Sequence, residues 1–146
     1  MALHRRIASA VIGIAVGGFA LALAAQSPET YKARLSAMPA DAKTRADLAG
    51  SGSVSAVLTG TKLTITGSFE GLRSVATTAS VHSSVAAGVR GPAIGDLTIS
   101  KAQSGTVTGS IDLTPQQLDT LRKGSLYVQI HSEKVPDGVL WGWLLK

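Results

Sequence analysis

Apolar and polar residues alternate with a period of two over much of the chain after Ser53. Residues 53–60 show the pattern first, and residues 61–69 repeat it with a leucine and an isoleucine on the apolar side. Alternation of this length predicts strands that bury one of their two sides. Gly60 and Thr61, where the two stretches meet, predict a tight hairpin turn.

Further stretches show the same alternation or are bounded by turn-forming residues. They lie at residues 29–38, 76–84, 95–100, 105–113, 125–132 and 139–145. About eight short strands with one short helix predict an all-β domain of antiparallel pairs, either a β-sandwich or a barrel. We assign residues 53–146 to this β domain, and residues 26–52 to an N-terminal strand, ended by Pro39, and a polar connection.

One short helix is predicted directly after residue 113. Thr114 is a typical N-cap, Pro115 suits the first turn, and Gln117 completes a capping box. Lys123 suits the negative end of the helix dipole, and Gly124 is able to adopt the left-handed conformation that ends many helices. We expect this helix to cover one end or one edge of the sheet structure.

The first 25 residues have the composition of a targeting or membrane segment. Arg5 and Arg6 precede an apolar run from Ile7 to Ala25, which matches a secretory signal with a cleavage site at residues 22–24. The alternative is an uncleaved N-terminal transmembrane helix, because the run would reach ~28 Å, close to the ~30 Å hydrocarbon core of a bilayer. Both interpretations export everything after Gln26.

Composition narrows the class of protein further. Hydrophobic residues make up 45% of the 146 residues but aromatic residues only 4%, so the core must consist mainly of aliphatic side chains. The net charge of +5 is not concentrated in a basic stripe with interleaved aromatics, which argues against nucleic-acid binding. The absence of cysteine excludes disulfides, thiolate metal sites and cysteine nucleophiles.

Two histidines are candidates for metal binding. His82 and His131 lie in predicted strands, whereas His4 belongs to the targeting segment. Imidazoles on neighbouring strands could bind copper or zinc. Two ligands are too few for a closed site, and no cysteine or third histidine nearby completes it. Structural histidines that are hydrogen-bonded to the backbone are therefore the favoured interpretation, and a metal site is the alternative.

No catalytic constellation is recognisable in the sequence. The carboxylates at turns and strand ends are scattered, at Glu70, Asp96, Asp112, Glu133 and Asp137. A hydrolase would need two of them to converge in a cleft, and no Gly-x-Ser-x-Gly elbow is present. We therefore expect a protein that is not an enzyme and that needs no cofactor.

The two tryptophans lie close together in the last predicted strand. Trp141 and Trp143 are two residues apart, so on a regular strand their rings face the same way. That side is either part of the core or a docking surface for a protein partner or a membrane. Gly142 between them indicates a bulge or a close backbone approach. These residues alone leave both alternatives open.

Four blocks of sequence resemble the CHRD domain, which was first described in chordin and is widespread in exported bacterial proteins. The blocks occupy residues 67–82, 88–97, 105–124 and 126–142, in the order and spacing of the family. The resemblance begins at about residue 30 and covers most of the exported part. It implies an antiparallel β-sandwich or barrel of Greek-key type, which agrees with the number of predicted strands.

The chain departs from the family pattern at two places. Where the family usually has a His-x-His pair, the second position is His82 but the first is Ser80. Where the family commonly has Gly-Glu-hydrophobic-Arg-Gly, Val139 replaces the acid and Trp141 the base. A three-histidine site would thus be incomplete here, and an apolar surface replaces a charge pair. We assign Val139, Trp141 and Trp143 as partner-binding residues.

The preferred hypothesis is a non-enzymatic periplasmic domain that binds and stabilises a protein partner. Its concrete form is an accessory subunit of a membrane-associated oxidoreductase, such as a quinoprotein alcohol dehydrogenase, held at the inner membrane if residues 1–25 are retained. The alternative hypothesis is a periplasmic copper- or zinc-binding protein that uses His82 and His131.

Overall fold

The computed structural model describes residues 26–146, which form eight antiparallel strands and one α-helix. The strands are β1 Glu29–Ala37, β2 Ser51–Thr59, β3 Lys62–Glu70, β4 Ala76–Ser83, β5 Ala93–Ile99, β6 Gly105–Asp112, β7 Leu126–Ser132 and β8 Leu140–Trp143. Helix α1 (Pro115–Arg122) lies between β6 and β7. The predicted all-β class with one short helix is confirmed. The apolar helix predicted within residues 1–25 lies outside the described residues.

The eight strands close into a barrel in the order β1-β2-β3-β6-β5-β4-β7-β8. Strands β4, β5 and β6 follow one another in sequence and in space, and β7 then returns to pair with β4. This is a Greek-key connection, so the topology implied by the family resemblance is confirmed. Strand β8 pairs with both β7 and β1 and thereby closes the barrel.

The barrel interior is filled mainly by aliphatic side chains, as the low aromatic content predicts. Leu35, Ile65, Val81 and Val107 are fully buried and belong to one continuous cluster. The interior of an eight-stranded barrel is just wide enough for side chains to fill it. The tryptophans of β8 do not belong to this cluster, so they are not part of the barrel interior.

Helix α1 begins where its sequence predicts. The Thr114 hydroxyl accepts a hydrogen bond from the Gln117 N–H at 3.2 Å, and the Gln117 side-chain oxygen accepts one from the Thr114 N–H at 3.0 Å. Leu121 anchors the helix in the core, and Gly124 has the predicted left-handed conformation with φ of 74°. Among residues 26–146, no helix has the length and hydropathy needed to cross a bilayer.

The loops and strand tips gather at two ends of the barrel. The first, termed the α1 end, consists of residues 26–29, 60–62, 84–92, 112–125 and 144–146. The second, termed the opposite end, consists of residues 37–51, 70–75, 100–104 and 133–139. The side of the barrel between these ends carries the groups described next.

Candidate functional site

Strand β7 carries large and polar side chains on its outer side. Every second residue from Leu126 to Ile130 points inward and belongs to the core cluster. Tyr127, Gln129 and His131 alternate with these residues and therefore point outward. Tyr127 and Gln129 are nevertheless only 0% and 3% exposed. Other residues must therefore cover this outer side of the strand.

The covering residues come partly from β4 and β8, which flank β7. In the strand register, Tyr127 lies between His82 of β4 and Trp143 of β8. The outward side chains of the three strands form one continuous surface, which we call the β7 face. Its members are Ser80, His82, Tyr127, Gln129, His131, Trp141 and Trp143.

Tyr127 is the centre of an aromatic group on the β7 face. The His82 ring stacks on the Tyr127 ring with centroids 4.9 Å apart. On the other side, the centroids of Trp143 and Trp141 lie 4.4 Å and 5.9 Å from Tyr127. The two indole rings face the same way, as their spacing predicts, and each is partly exposed. The tryptophan pair therefore packs on the outside of the barrel, not in its core.

Val139 does not belong to the β7 face. It is 0% exposed and lies in the core cluster, and its N–H donates to the Ile130 carbonyl at 2.7 Å. Val139 and Leu140 are both buried although they are adjacent, so regular alternation starts only after Leu140. The expectation that Val139 lies on a partner surface is wrong, because its side chain has no exposed area.

Both ring nitrogens of His82 have hydrogen-bond partners. Nδ1 lies 2.8 Å from the Gly91 carbonyl oxygen, and Nε2 lies 2.8 Å from the Ser80 hydroxyl. Because a carbonyl only accepts, Nδ1 carries the proton, and Nε2 of the neutral ring accepts from the hydroxyl. Burial is the main cause that lowers the pKa of His82 from 6.5, and the charges of His131 and Arg90 act in the same direction.

His131 is held in a similar way. Its Nδ1 lies 2.7 Å from the Pro136 carbonyl oxygen, and its Nε2 lies 3.3 Å from the Gln129 amide nitrogen. Nδ1 therefore donates, and Nε2 of the neutral ring accepts. The centroids of the two imidazoles are 6.4 Å apart. The partners of the two Nε2 atoms, Ser80 and Gln129, lie opposite each other on β4 and β7, so both nitrogens face the same small region.

Two loops hold the β7 face in place. Gly91, in the loop after β4, donates its N–H to the Tyr127 hydroxyl at 2.9 Å. Arg90 of the same loop donates to the Asp137 carbonyl at 2.8 Å, and Asp137 lies in the loop before β8. Gly138 then adopts φ of 122°, which side chains disfavour. The Pro-Asp-Gly sequence thus shapes the loop that covers one edge of the face.

The sequence-based prediction missed two members of this face. Tyr127 and Gln129 were assigned no role, although together with His131 they occupy alternate positions of one strand. This alternation could have identified Tyr127 and Gln129 as outward-facing residues, because the residues between them are all aliphatic and mark the inward side of the strand. The burial of Tyr127 and Gln129 could not be predicted from the sequence of β7, since it depends on contacts with β8 and with the two loops.

The groups of the β7 face that could take part in chemistry or binding are two imidazole Nε2 atoms and a group of aromatic rings. Among residues 26–146, no group of three or more histidine, cysteine, aspartate or glutamate side chains comes together as a metal site. Ser80 and His82 form a hydroxyl–imidazole hydrogen bond, but Ser80 is only 7% exposed and Nδ1 of the histidine binds a carbonyl in place of a carboxylate. The partly exposed tryptophans are the members of the face best placed to meet a macromolecule.

The chain thus forms a closed Greek-key barrel with a group of aromatic rings on one outer side. The family model of the CHRD domain matches residues 31–144. The chain therefore belongs to the CHRD domain family. No curated protein and no solved structure shows significant similarity to it.

A fall in pH is expected to weaken the fold through His82. Burial keeps the pKa of His82 below 6.5 in the folded protein. His82 therefore becomes protonated at a higher pH in the unfolded chain than in the folded protein. Stability should therefore decrease as the pH drops from about 7.5 to about 5.5. Chemical denaturation at both values measures this loss, which His82→Gln should reduce. An equal loss in the variant would contradict the assignment to His82.

Glu29 titrates in a different pH range from His82. Hydrogen bonds from Lys146 and then Tyr31 lower the pKa of Glu29 from 4.5 to about 2. A carboxylate with a lowered pKa contributes stability that is present above its unfolded pKa and disappears only as the pH falls through the folded one. Its contribution is thus retained over the range that tests His82.

Proposed function

We propose that this CHRD domain is a non-enzymatic, exported protein that binds a larger protein in the periplasm and stabilises it. The observation that carries the proposal is the position of Trp141 and Trp143. Both rings lie on the outside of the barrel, are partly exposed, and pack against the buried Tyr127. The binding surface proposed consists of these two tryptophans.

A tryptophan pair of this kind suits protein recognition for two physical reasons. Tryptophan is enriched among the residues that dominate interface energies, because each ring can bury a large area. The rings also sit 5.8 Å apart on a short strand and rest on Tyr127, so they are already ordered before binding. A pre-ordered contact loses less conformational entropy when the partner docks.

The concrete form of the proposal is an accessory subunit of a membrane-associated periplasmic oxidoreductase, such as a quinoprotein alcohol dehydrogenase. The apolar run ahead of the barrel supports it. If that run is retained, the barrel is held at the outer surface of the inner membrane. The partner is a protein, and nucleic acid is not expected to bind.

The full chain, purified from native membranes, is expected to elute with a larger protein in a fixed ratio. Trp141→Arg should release that protein, because a charged residue replaces an apolar contact. The family commonly has arginine at this position, so the variant is compatible with the barrel. Size-exclusion chromatography with mass spectrometry of each peak provides the measurement.

A matched control comes from the far side of the barrel. Thr108 and Ser110 of β6 are exposed and have the same two-residue spacing as the tryptophans. Replacing both with alanine should leave the complex intact. Elution of the wild-type chain as a lone monomer would overturn the proposal, and so would an unchanged complex in Trp141→Arg.

Binding of copper or zinc is the second candidate function, because one specific observation favours it. Both His82 and His131 donate Nδ1–H to a backbone carbonyl, as metal-binding histidines usually do. Their Nε2 lone pairs face the same region, and a metal ion would have to displace the hydrogen bonds that these atoms accept from Ser80 and Gln129. Two imidazoles do not complete a coordination shell, so water or a ligand from outside the chain would have to fill the remaining positions.

A further inference from the structure

The described residues include three large hydrophobic side chains that are exposed, and all three lie at the α1 end. Val85 is 89% exposed, Val89 45% and Leu145 52%. Val85 and Val89 belong to the same loop between β4 and β5. Single exposed apolar residues are common on protein surfaces, but a cluster of them marks a contact site.

Basic side chains lie next to these apolar residues. Val85, Arg90 and Lys123 line one shallow cleft between the loop after β4 and helix α1. Leu145 lies beside the end of that helix, since a Cβ on Gly124 would be 2.8 Å from its Cδ2 atom. We call this set the α1-end patch. Its members are Val85, Val89, Arg90, Lys123 and Leu145.

The two ends of the barrel also differ in charge. The α1 end has five basic residues and three acidic ones. They are Lys62, Arg90, Arg122, Lys123 and Lys146, and Glu29, Asp112 and Asp119. The opposite end has five of each: Lys43, Arg45, Arg73, Lys101 and Lys134, and Asp41, Asp47, Glu70, Glu133 and Asp137. Arg90 extends from the α1 end to the Asp137 carbonyl, and without it the α1 end still has one basic residue more than acidic ones, which favours contact with an anionic surface.

Of the two basic members of the patch, Lys123 is the one available for such a contact. Glu29, the first residue of β1, forms ion pairs with Lys146 at 2.9 Å and with Arg122 at 3.5 Å. Within residues 26–146, the salt bridges include neither Arg90 nor Lys123. The Lys123 ammonium is thus free of carboxylate partners in the described part of the chain, whereas the Arg90 guanidinium already donates to the Asp137 carbonyl at 2.8 Å.

The chain itself places this end near the apolar run. Strand β1 starts at Glu29, at the α1 end, and only Gln26 to Pro28 separate it from Ala25. The four Cα–Cα steps from Ala25 to Glu29 span at most ~14 Å. The α1 end must therefore lie within about this distance of the last residue of the run.

We infer that the α1-end patch docks on an anionic lipid surface. Val85, Val89 and Leu145 enter the headgroup region, and Lys123 lies among the lipid phosphates. Apolar insertion and electrostatic attraction each give weak, reversible binding, but two such signals together give stable docking. The short connection to the apolar run adds a high effective concentration at the membrane. The inference rests on the membrane location in the proposed function, but it does not involve the tryptophan contact.

The absence of cysteine in the chain allows a direct test. Val85→Cys in the full chain receives an environment-sensitive fluorophore, and Ser104→Cys at the opposite end is the matched control, since both positions are exposed. Each protein is reconstituted in vesicles of phosphatidylethanolamine and phosphatidylglycerol without any other protein. The expected result is about threefold brighter emission at position 85, with quenching by shallow nitroxide lipids, and neither effect at position 104.

Two further measurements separate lipid docking from other causes. Replacing phosphatidylglycerol by phosphatidylcholine, or introducing Lys123→Gln, should lower the emission at position 85 towards that at position 104. Equal access of iodide to both positions would overturn the inference while leaving partner binding by the tryptophans intact. Protection of position 85 only after a purified partner protein is added would overturn it too, because the patch would then be a protein contact.

Discussion

Tyr127→Ala is expected to lower the free energy of unfolding by about 3–5 kcal/mol, the usual cost of removing a buried aromatic ring. Tyr127 is 0% exposed, although it stands on the outer side of β7. Its ring is packed between His82 and the two tryptophans. Its loss opens a cavity beneath all three rings, so the face should lose both stability and order.

Tyr127→Phe separates the ring from its hydroxyl. This variant keeps the aromatic packing but leaves the Gly91 N–H without the acceptor that it has at 2.9 Å. We expect a smaller loss, about 1 kcal/mol. Urea denaturation of the two variants, with Thr108→Ala as an exposed control on β6, gives the comparison. A loss below about 1 kcal/mol in Tyr127→Ala would show that the rings of the face are not packed as described.

Ser80→His should raise the affinity for copper or zinc by roughly 10–100-fold or more, because it adds a third imidazole to the two already present. Changing only the hydrogen-bond partner of a metal ligand alters affinity by roughly this factor, so a new ligand should do at least as much. Position 80 is suitable because its hydroxyl already lies 2.8 Å from His82 Nε2. The substitution also restores the His-x-His pair of the family pattern.

Titration of the full chain by calorimetry provides the measurement. Combining Ser80→His with either His82→Ala or His131→Ala should remove the gain, whereas combining it with His4→Ala should not. A gain that survives the loss of His131 would place the metal elsewhere. In the chain without Ser80→His, metal affinity that is the same in His82→Ala and His131→Ala as in the wild type would rule out metal binding as the second function.

Local sequence signals predicted the secondary structure well. The capping box of α1 involves residues three positions apart, so Thr114 and Gln117 suffice to predict it. Period-two alternation likewise located the strands, because it depends only on the pleat. Closure of the barrel and its Greek-key order depend on contacts between distant residues, and only the family resemblance implied the Greek-key type.

The β7 face was harder to predict, for a reason visible in β8. Trp141 and Trp143 alternate there with Leu140 and Gly142, and none of these is polar. A strand that is apolar at every position gives no sign of which side faces inward. The burial of Val139 has a related cause, since it and Leu140 break the alternation just where the strand begins.

The loop between β4 and β5 gives the molecule a form of thermodynamic linkage. Its tip carries Val85 and Val89, and its base holds His82 and Tyr127 through Gly91. A lipid surface that held this loop in one position, as proposed above, would also act on the hydrogen bonds that Gly91 makes with His82 and Tyr127. By reciprocity, a partner that binds the face would change the affinity for lipid by the same factor. The coupling free energy between the two proposed contacts would then be measurable from either side, as the change in lipid affinity or as the change in partner affinity.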